Sequence, residues 1–339
     1  MQPDRTNSIS VVIPTYNAAP FIGATLESVL AQSRLPDEVI VVDDCSTDQT
    51  VEIVQRIAKS APTRVHVTVM AANSGGPAMP TNVGIEMSKG EMIALLDHDD
   101  WMLRGKLDCQ AQQLQTHQDV GFVFSDFECL VGSEVRRGMT DLDYSILQAN
   151  ASVEDGAWLL SSRQMVQLQV AYPHLVQSCS NLMFRKSVWA EVGGFDRAAG
   201  PITDHKFKLA AATRFPACFL PRVLFRKRMH ESNLFTKSYS PQLMHEIAVV
   251  GINALRSSGF TEWENTTIAA ATRDGLFDGI YACRNARQYR ASMWFAWQCF
   301  RLFGLQRGLV VRLCKWPFAV ARNLLRVHSP AASWGVPAS

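Results

Sequence analysis

The chain has 339 residues, 47% of them apolar, a length that accommodates about two domains and an apolar share sufficient to bury a core. Formal net charge is only +2, but nine of the 33 basic residues lie beyond Gly279 among no acids; the other 24 face 31 acidic residues, a net of −7, so the basic tail is expected to have its own partner. Eight scattered cysteines without a C-x-x-C pair, an N-terminus ("MQPDRTNSIS") without an apolar core and the lack of an uncharged apolar window of about 18 residues argue against a disulfide framework, a zinc site, a signal peptide and a transmembrane helix, and fit a reducing cytosol.

"SISVVIPTYN" gives a buried strand over Ile9 to Ile13, stopped by Pro14. "FIGATLESVLAQS" has helical spacing. "EVIVVDDCSTDQT" is a second strand ending in Asp43 and Asp44, after which Ser46 or Thr47 is expected to cap a helix through Val51, Val54 and Ile57. "RVHVTVM" alternates as a third strand, and "NSGGPAMPTNVGIEMSKG" turns into a short helix. "EMIALL" is a fourth strand running into Asp97, Asp99 and Asp100. A helix through Leu103, Leu107 and Leu114 and the strand "VGFVFSDFECL" follow. Residues 130 to 180 are less regular. "NLMFRKSVWAEVGGFD" gives a strand, a helix and a glycine turn, "TDHKFKLAAAT" a capped helix, and "ACFLPRVLFRKRMHESN" a strand and a polar loop. From about residue 240 the pattern is helical.

Strands alternating with helices imply a doubly wound, mostly parallel α/β sheet, and ligands of such sheets bind beyond the carboxyl ends of the strands. Polar residues gather at those ends: Thr15, Tyr16 and Asn17; Asp43 and Asp44; Asn73; Asp97 to Asp100. Three carboxylates within four positions repel one another unless something positive lies among them. Mg²⁺ or Mn²⁺ held by one or two carboxylates and substrate phosphates meets that need; a helix cap with solvated acids is the plainer alternative. No G-x-x-x-x-G-K-[ST] loop is present, and no G-x-G-x-x-G follows the first strand, which excludes a Walker-type ATPase and disfavours dinucleotide binding.

"SVVIPTYNAAPFIGATLESVLAQS", "EVIVVDDCSTDQT", "NSGGPAMPTNVGIEMSKGEMIALLDHDD" and "VGGFD" together resemble the inverting glycosyltransferases of family 2, which have the GT-A fold; the likeness spans about residues 8 to 235. "DHDD" is similar to the family's DxD-type signature. The resemblance implies that Pro14, Thr15 and Tyr16 border the base of a nucleotide-diphosphate sugar, UDP- or dTDP-linked. Asp44 or Asp43 would accept the N3–H of the base, with Asn73, Gly75, Asn82 and His98 in the same donor site. It implies that Asp97 faces the ribose or donor sugar, and that Asp99, Asp100 and His230 hold Mn²⁺ or Mg²⁺. Asp204, in "GGFDRAAGPITDHKFKL", maps onto the family's catalytic base. Thr203, His205, Lys206 and Lys208 depart from the acidic and aromatic surroundings usual there, so the acceptor contacts are expected to differ from the family's. Arg226 or Arg228 would pair with phosphate oxygens, and Asp126 would line the acceptor cleft.

The expected architecture is a GT-A-like catalytic domain over residues 6–238, a helical region over 239–328 and a flexible tail over 329–339. The expected activity is transfer of a sugar to a glycan or lipid-linked acceptor in surface polysaccharide assembly. A non-catalytic nucleotide-sugar-binding relative acting as a partner subunit is the alternative. A sugar-phosphate nucleotidylyltransferase is disfavoured, because "PTYNAAPF" carries no basic residue to grip a triphosphate. The tail interleaves Arg and Lys with Trp, Phe and Leu. That pattern fits core-packing helices or an anionic membrane surface at the cytoplasmic face, and not nucleic acid.

Overall fold

The computed structural model describes residues 7–172, 175–176, 178–230, 241–256, 262–285 and 288–304. The chain divides into two compact units, Met1–Thr236 and Lys237–Ser339.

The first unit opens with β1 (Ile9–Thr15), α1 (Ile22–Leu30), β2 (Glu38–Asp43), α2 (Thr50–Ala58), β3 (Arg64–Val69), α3 (Ala78–Met87) and β4 (Met92–Leu95). β5 (Trp101–Met102), α4 (Lys106–Thr116), β6 (Phe122–Val131), β7 (Glu134–Arg137), α5 (Asp141–Asn150), β8 (Ser152–Glu154), β9 (Ala157–Leu160) and α6 (Ser162–Ala171) follow. The unit ends with β10 (Met183–Arg185), α7 (Lys186–Val192), α8 (Thr203–Ala212) and β11 (Ala217–Met229). One sheet joins the strands in the order β3-β2-β1-β4-β10-β6-β11-β9-β8, with β5 on β11 and β7 on β6. β1, β2, β3 and β4 pair in parallel, as do β6 and β11; β10 lies antiparallel between β4 and β6.

β1 and β2 are buried along their whole length, which is why they read as unbroken apolar runs rather than as alternations. Val11, Ile13, Val39 and Val41 belong to one core with Ile22, Leu26 and Val54 of α1 and α2. Val12 and Val42 meet α3 instead, at Gly84, where a Cβ would lie 2.5 Å from Val12 Cγ1. Helices therefore cover both faces, as the doubly wound reading requires.

Local expectations needed correction at two places. Neither Ser46 nor Thr47 caps α2; Gln49 holds the N-cap position without a side-chain bond, and Asp48 Oδ1 just before it accepts the Thr50 amide at 3.0 Å. Ser46 bonds back to Asp43, and the Thr47 amide to Asn17 Oδ1. Leu103 precedes its helix, because Trp101 and Met102 first form β5 against Phe225 and Arg226.

Lys106 opens α4 with its side chain fully buried, the ammonium 2.8 Å from Gln110 Oε1. Burial pushes its amine down from 10.5 to about 7. The unfolded chain thus takes up this proton near pH 10.5, whereas the folded protein does so near 7. The stability that the neutral amine allows is complete above pH 10.5 and is lost as pH falls through that window. Lys106→Met should therefore stabilise the protein by about 1–3 kcal/mol at pH 7, after the unpaired Gln110 oxygen is charged against the gain. The gain should shrink as pH rises toward 10. Urea denaturation of both proteins at pH 7 and pH 9.5 checks this; a Met variant less stable at pH 7 refutes it.

The second unit is helical throughout its described residues: α9 (Pro241–Arg256), α10 (Glu262–Asn285) and α11 (Tyr289–Phe303). Met244, Ala248 and Ile252 pack with Leu276, Ile280, Cys283, Phe295, Ala296 and Cys299. Trp294 packs on His245. The rest of the expected helical region and the tail over 329–339 lie outside the described residues.

Candidate active site

The carboxyl ends of β1, β2 and β4 lie side by side, and the expected donor residues meet there. Thr15 is buried, and its hydroxyl donates to Asp43 Oδ1 at 3.2 Å. The same carboxylate accepts the Ser46 amide and hydroxyl at 2.8 and 2.5 Å. Asp44 accepts the Ser74 amide and hydroxyl at 2.8 and 2.9 Å, and its carbonyl accepts Asn73 Nδ2. Asn73 Oδ1 in turn accepts the amide of Gly75, which has φ +84°. Both acids thus fasten loops around the strand ends, while Tyr16 stands 46% exposed at the rim. His98 Nδ1 lies 3.2 Å from the Pro14 carbonyl, which ties the aspartate segment to the end of β1.

The three aspartates are held by separate partners. Ser178 Oγ donates to Asp97 Oδ2 at 2.6 Å. Ser180 Oγ accepts the Asp97 amide and donates to Asp100 Oδ2 at 2.6 Å. Asp100 Oδ1 accepts the Arg228 amide at 3.0 Å. His230 Nε2 lies 2.9 Å from Asp99 Oδ2. Burial first, then the neighbouring acids, pushes the Asp97 and Asp100 carboxyls up, Asp100 well above 3.8. The serine hydroxyls and Lys227 pull both the other way. The crowding of charge is therefore relieved in part by the protein's own donors.

Several expected roles change on this geometry. Asp100 is fully buried, with Ser180 Oγ on one oxygen and the Arg228 amide on the other, a placement that suits a brace for the motif. Asn82 is spent on the glycine turn: Oδ1 accepts Trp189 Nε1 and the Phe195 amide, and Nδ2 donates to the Phe195 carbonyl. Asp126 is buried and accepts Tyr144 Oη at 2.8 Å and the Phe127 amide, so it does not line a cleft. Arg226 is paired with Glu128 at 2.6 Å. Arg228 lies 3.7 Å from the Trp101 ring centroid and donates to the Asp99 carbonyl, placing a guanidinium at the motif.

Asp204 stands in the first turn of α8, with about a quarter of its side chain exposed. Its charge acts on Asp97 and on Cys179. Lys208, one turn on and buried, donates to Asp204 Oδ2 at 2.9 Å and to the Val176 carbonyl at 2.7 Å. Burial pushes the Asp204 carboxyl up, but the Lys208 charge and hydrogen bond, with His205, outweigh it and hold the group below 3.8.

Three functional candidates escaped the sequence reading: Ser178, Ser180 and Lys227. Arg226 and Arg228 both approach Trp101, so the pleat of β11 turns the intervening Lys227 to the other face, opposite Cys129. There its charge acts on Asp97, Asp100 and Cys179. Strand alternation could have found it.

A carboxylate oxygen and an imidazole nitrogen can both ligate a divalent cation. Cis ligands of an octahedral ion at about 2.1 Å lie roughly 3 Å apart, and Asp99 Oδ2 and His230 Nε2 are separated by 2.9 Å. Among the described residues no three His, Cys, Asp or Glu side chains converge. The remaining positions would thus fall to diphosphate oxygens and water, as is usual for Mg²⁺.

Solved structures of glycosyltransferases share this fold. TarS residues 1–349 of Staphylococcus aureus, in complex with UDP-GlcNAc, superimpose with a TM-score of 0.60 at 20% identity, over 81% of each chain. The mannosyltransferase PcManGT of Pyrobaculum calidifontis, in complex with GDP-Man and Mn²⁺, gives 0.58 at 17% identity, over 92% of this chain and 80% of that one. In sequence, the poly(ribitol-phosphate) beta-N-acetylglucosaminyltransferase TarS is 39% identical over 114 residues, 33% of this chain and 20% of TarS. TuaG of Bacillus subtilis, assigned to teichuronic acid biosynthesis, is 38% identical over 122 residues, 36% of this chain and 47% of TuaG. The chain thus matches less than half the length of either relative. The profile of glycosyl transferase family 2 matches residues 10–193, more than half of the chain, and with the GT-A architecture around the "DHDD" motif it establishes that this protein belongs to glycosyl transferase family 2.

Proposed function

We propose that the protein is an inverting glycosyltransferase that moves a sugar from a UDP- or dTDP-linked donor to a hydroxyl of a glycan or lipid-linked acceptor, in surface polysaccharide assembly. The observation that carries the reading is the pairing of Asp99 with His230 beside the Arg228 guanidinium, at strand ends where Asp97 feels the charge of Asp204. Tyr16 and the loops fastened by Asp43 and Asp44 border the base. Asp97 faces the transferred sugar. Asp204 takes the proton of the acceptor hydroxyl as that oxygen attacks the anomeric carbon from the face opposite the leaving diphosphate. Asp99 and His230 would hold Mn²⁺ or Mg²⁺, which when bound neutralises charge gathering on the diphosphate. Arg228 adds a fixed positive charge there.

The non-catalytic alternative has one observation in its favour: Lys208 occupies an oxygen of the proposed base. The reading also places the protein at the cytoplasmic face of a membrane. Among the described residues no helix is long and apolar enough to cross one. α11 instead exposes Met293, Trp297 and Phe300 beside the basic Arg290 and Arg301, a face suited to an anionic lipid surface.

Calorimetry with UDP, in Mn²⁺ and then in EDTA, tests the donor site. Binding should require the metal. If none of UDP, dTDP and GDP binds in Mn²⁺, the glycosyltransferase reading of this site falls. Binding without turnover across a broad donor and acceptor screen would favour the alternative.

A further inference from the structure

Ser178 is buried and has φ +50° and ψ 152°. That conformation lies at the edge of a region used almost only by glycine, and a residue with a Cβ held there stores strain that the surroundings must over-determine. Its hydroxyl has two bonds that fix it. It donates to Asp97 Oδ2 at 2.6 Å and accepts the Ser180 amide at 3.1 Å. Ser180 passes the constraint on, accepting the Asp97 amide and donating to Asp100 Oδ2. One strained serine thus grips the first aspartate of "DHDD" directly and the last through a single neighbour. Glycine would fit the backbone better, but it would leave Asp97 without its hydroxyl partner.

We propose that Ser178 is a positioning residue of the donor site: its hydroxyl locks the Asp97 carboxylate, and through Ser180 the whole aspartate segment, into the arrangement that binds a nucleotide diphosphate. The proposal rests on the donor-site reading of Asp97. Ser178 itself touches no donor atom; it acts through the acids, in the way that outer partners orient metal and phosphate ligands.

The test compares Ser178→Ala and Ser178→Gly with the wild type, by UDP calorimetry in Mn²⁺ and by thermal denaturation. Both variants lack the hydroxyl, so both should lose about 10-fold or more in UDP affinity. Only the Gly variant relieves the backbone, so it should melt about 2–4 °C above the Ala variant. In an Asp97→Ala background the further change Ser178→Ala should cost much less affinity, because its direct target is gone and only the route through Ser180 remains. A residue that merely supports the fold would cost the same in both backgrounds and would weaken binding in proportion to lost stability. UDP affinity within about twofold of wild type in both single variants, or an equal loss in the Asp97→Ala background, overturns the proposal. An Ala variant as stable as the Gly variant overturns its premise of strain. Wild-type protein that binds no UDP overturns the donor-site reading itself, and the proposal with it.

Discussion

Asp204→Asn should lower kcat by about 10²–10⁴-fold while leaving UDP affinity nearly unchanged, the range expected when a positioned general base is removed. The substitution keeps an oxygen that Lys208 can bond to, so the first turn of α8 should stay in place. The lysine makes the prediction sharper. A base gains from a pKa near working pH, yet here Lys208 holds the Asp204 carboxyl below 3.8. The group therefore stays ionised well into acid, and activity should persist to low pH at the expense of basicity. The groups that act on it are Lys208 and His205, and its own charge acts in turn on Asp97 and on the buried Cys179 thiol. Lys208→Met removes the ammonium and leaves burial dominant, so the Asp204 pKa rises. The acid limb of kcat/KM should then move to higher pH. Stability follows the same sign: a depressed carboxyl stabilises the fold above the unfolded value of 3.8, and that contribution is lost as pH falls through the folded value. Steady-state kinetics across pH on both variants decide the matter. An Asp204→Asn enzyme with wild-type kcat removes the base assignment, and an unmoved acid limb in Lys208→Met assigns that limb to another group.

The same lysine shows where the sequence was informative and where it was not. Periodicity carried the sheet, because β1, β2 and β4 are buried on both faces and the helices between them keep their own spacing. The strand ends were therefore legible, and so was the convergence of Thr15, Asp43, Asp44 and Asp97 upon them. Residue type said much less about what each side chain would face. Asn82, Asp126 and Arg226 are suitable for binding in the abstract, yet Phe195, Tyr144 and Glu128 already occupy them. Those partners lie 18 to 113 positions away, beyond any local pattern. The grip of Ser178 on Asp97 spans 81 positions and carries no composition signal at all. β5 is two residues long, too short for any period to register, although it sets Trp101 under Arg228. Lys227 is the opposite case. Its facing followed from simple alternation in "RKR", a cue that was present and passed over.

Asp99→Ala should abolish the metal-dependent part of UDP binding, a loss on the order of 10²-fold, and His230→Ala should do nearly the same. As the proposed ligands of one cation the two side chains act together, so removing both should cost little more than removing one. Asp100 provides the contrast. It belongs to the same motif, but the structure gives it a different partner set: Ser180 on one oxygen and the Arg228 amide on the other. Asp100→Asn places an amide hydrogen against one of those donors, so it should cost stability, about 1–3 kcal/mol for a buried group left unsatisfied. The metal affinity of the folded fraction should stay close to wild type. Mn²⁺ titration at fixed UDP, with urea denaturation of the same proteins, separates the two aspartates. If Asp100→Asn loses metal as Asp99→Ala does, both acids face the ion and the brace assigned to Asp100 is wrong. If Asp99→Ala keeps its metal dependence, the cation is held elsewhere and the 2.9 Å contact with His230 is only an ion pair.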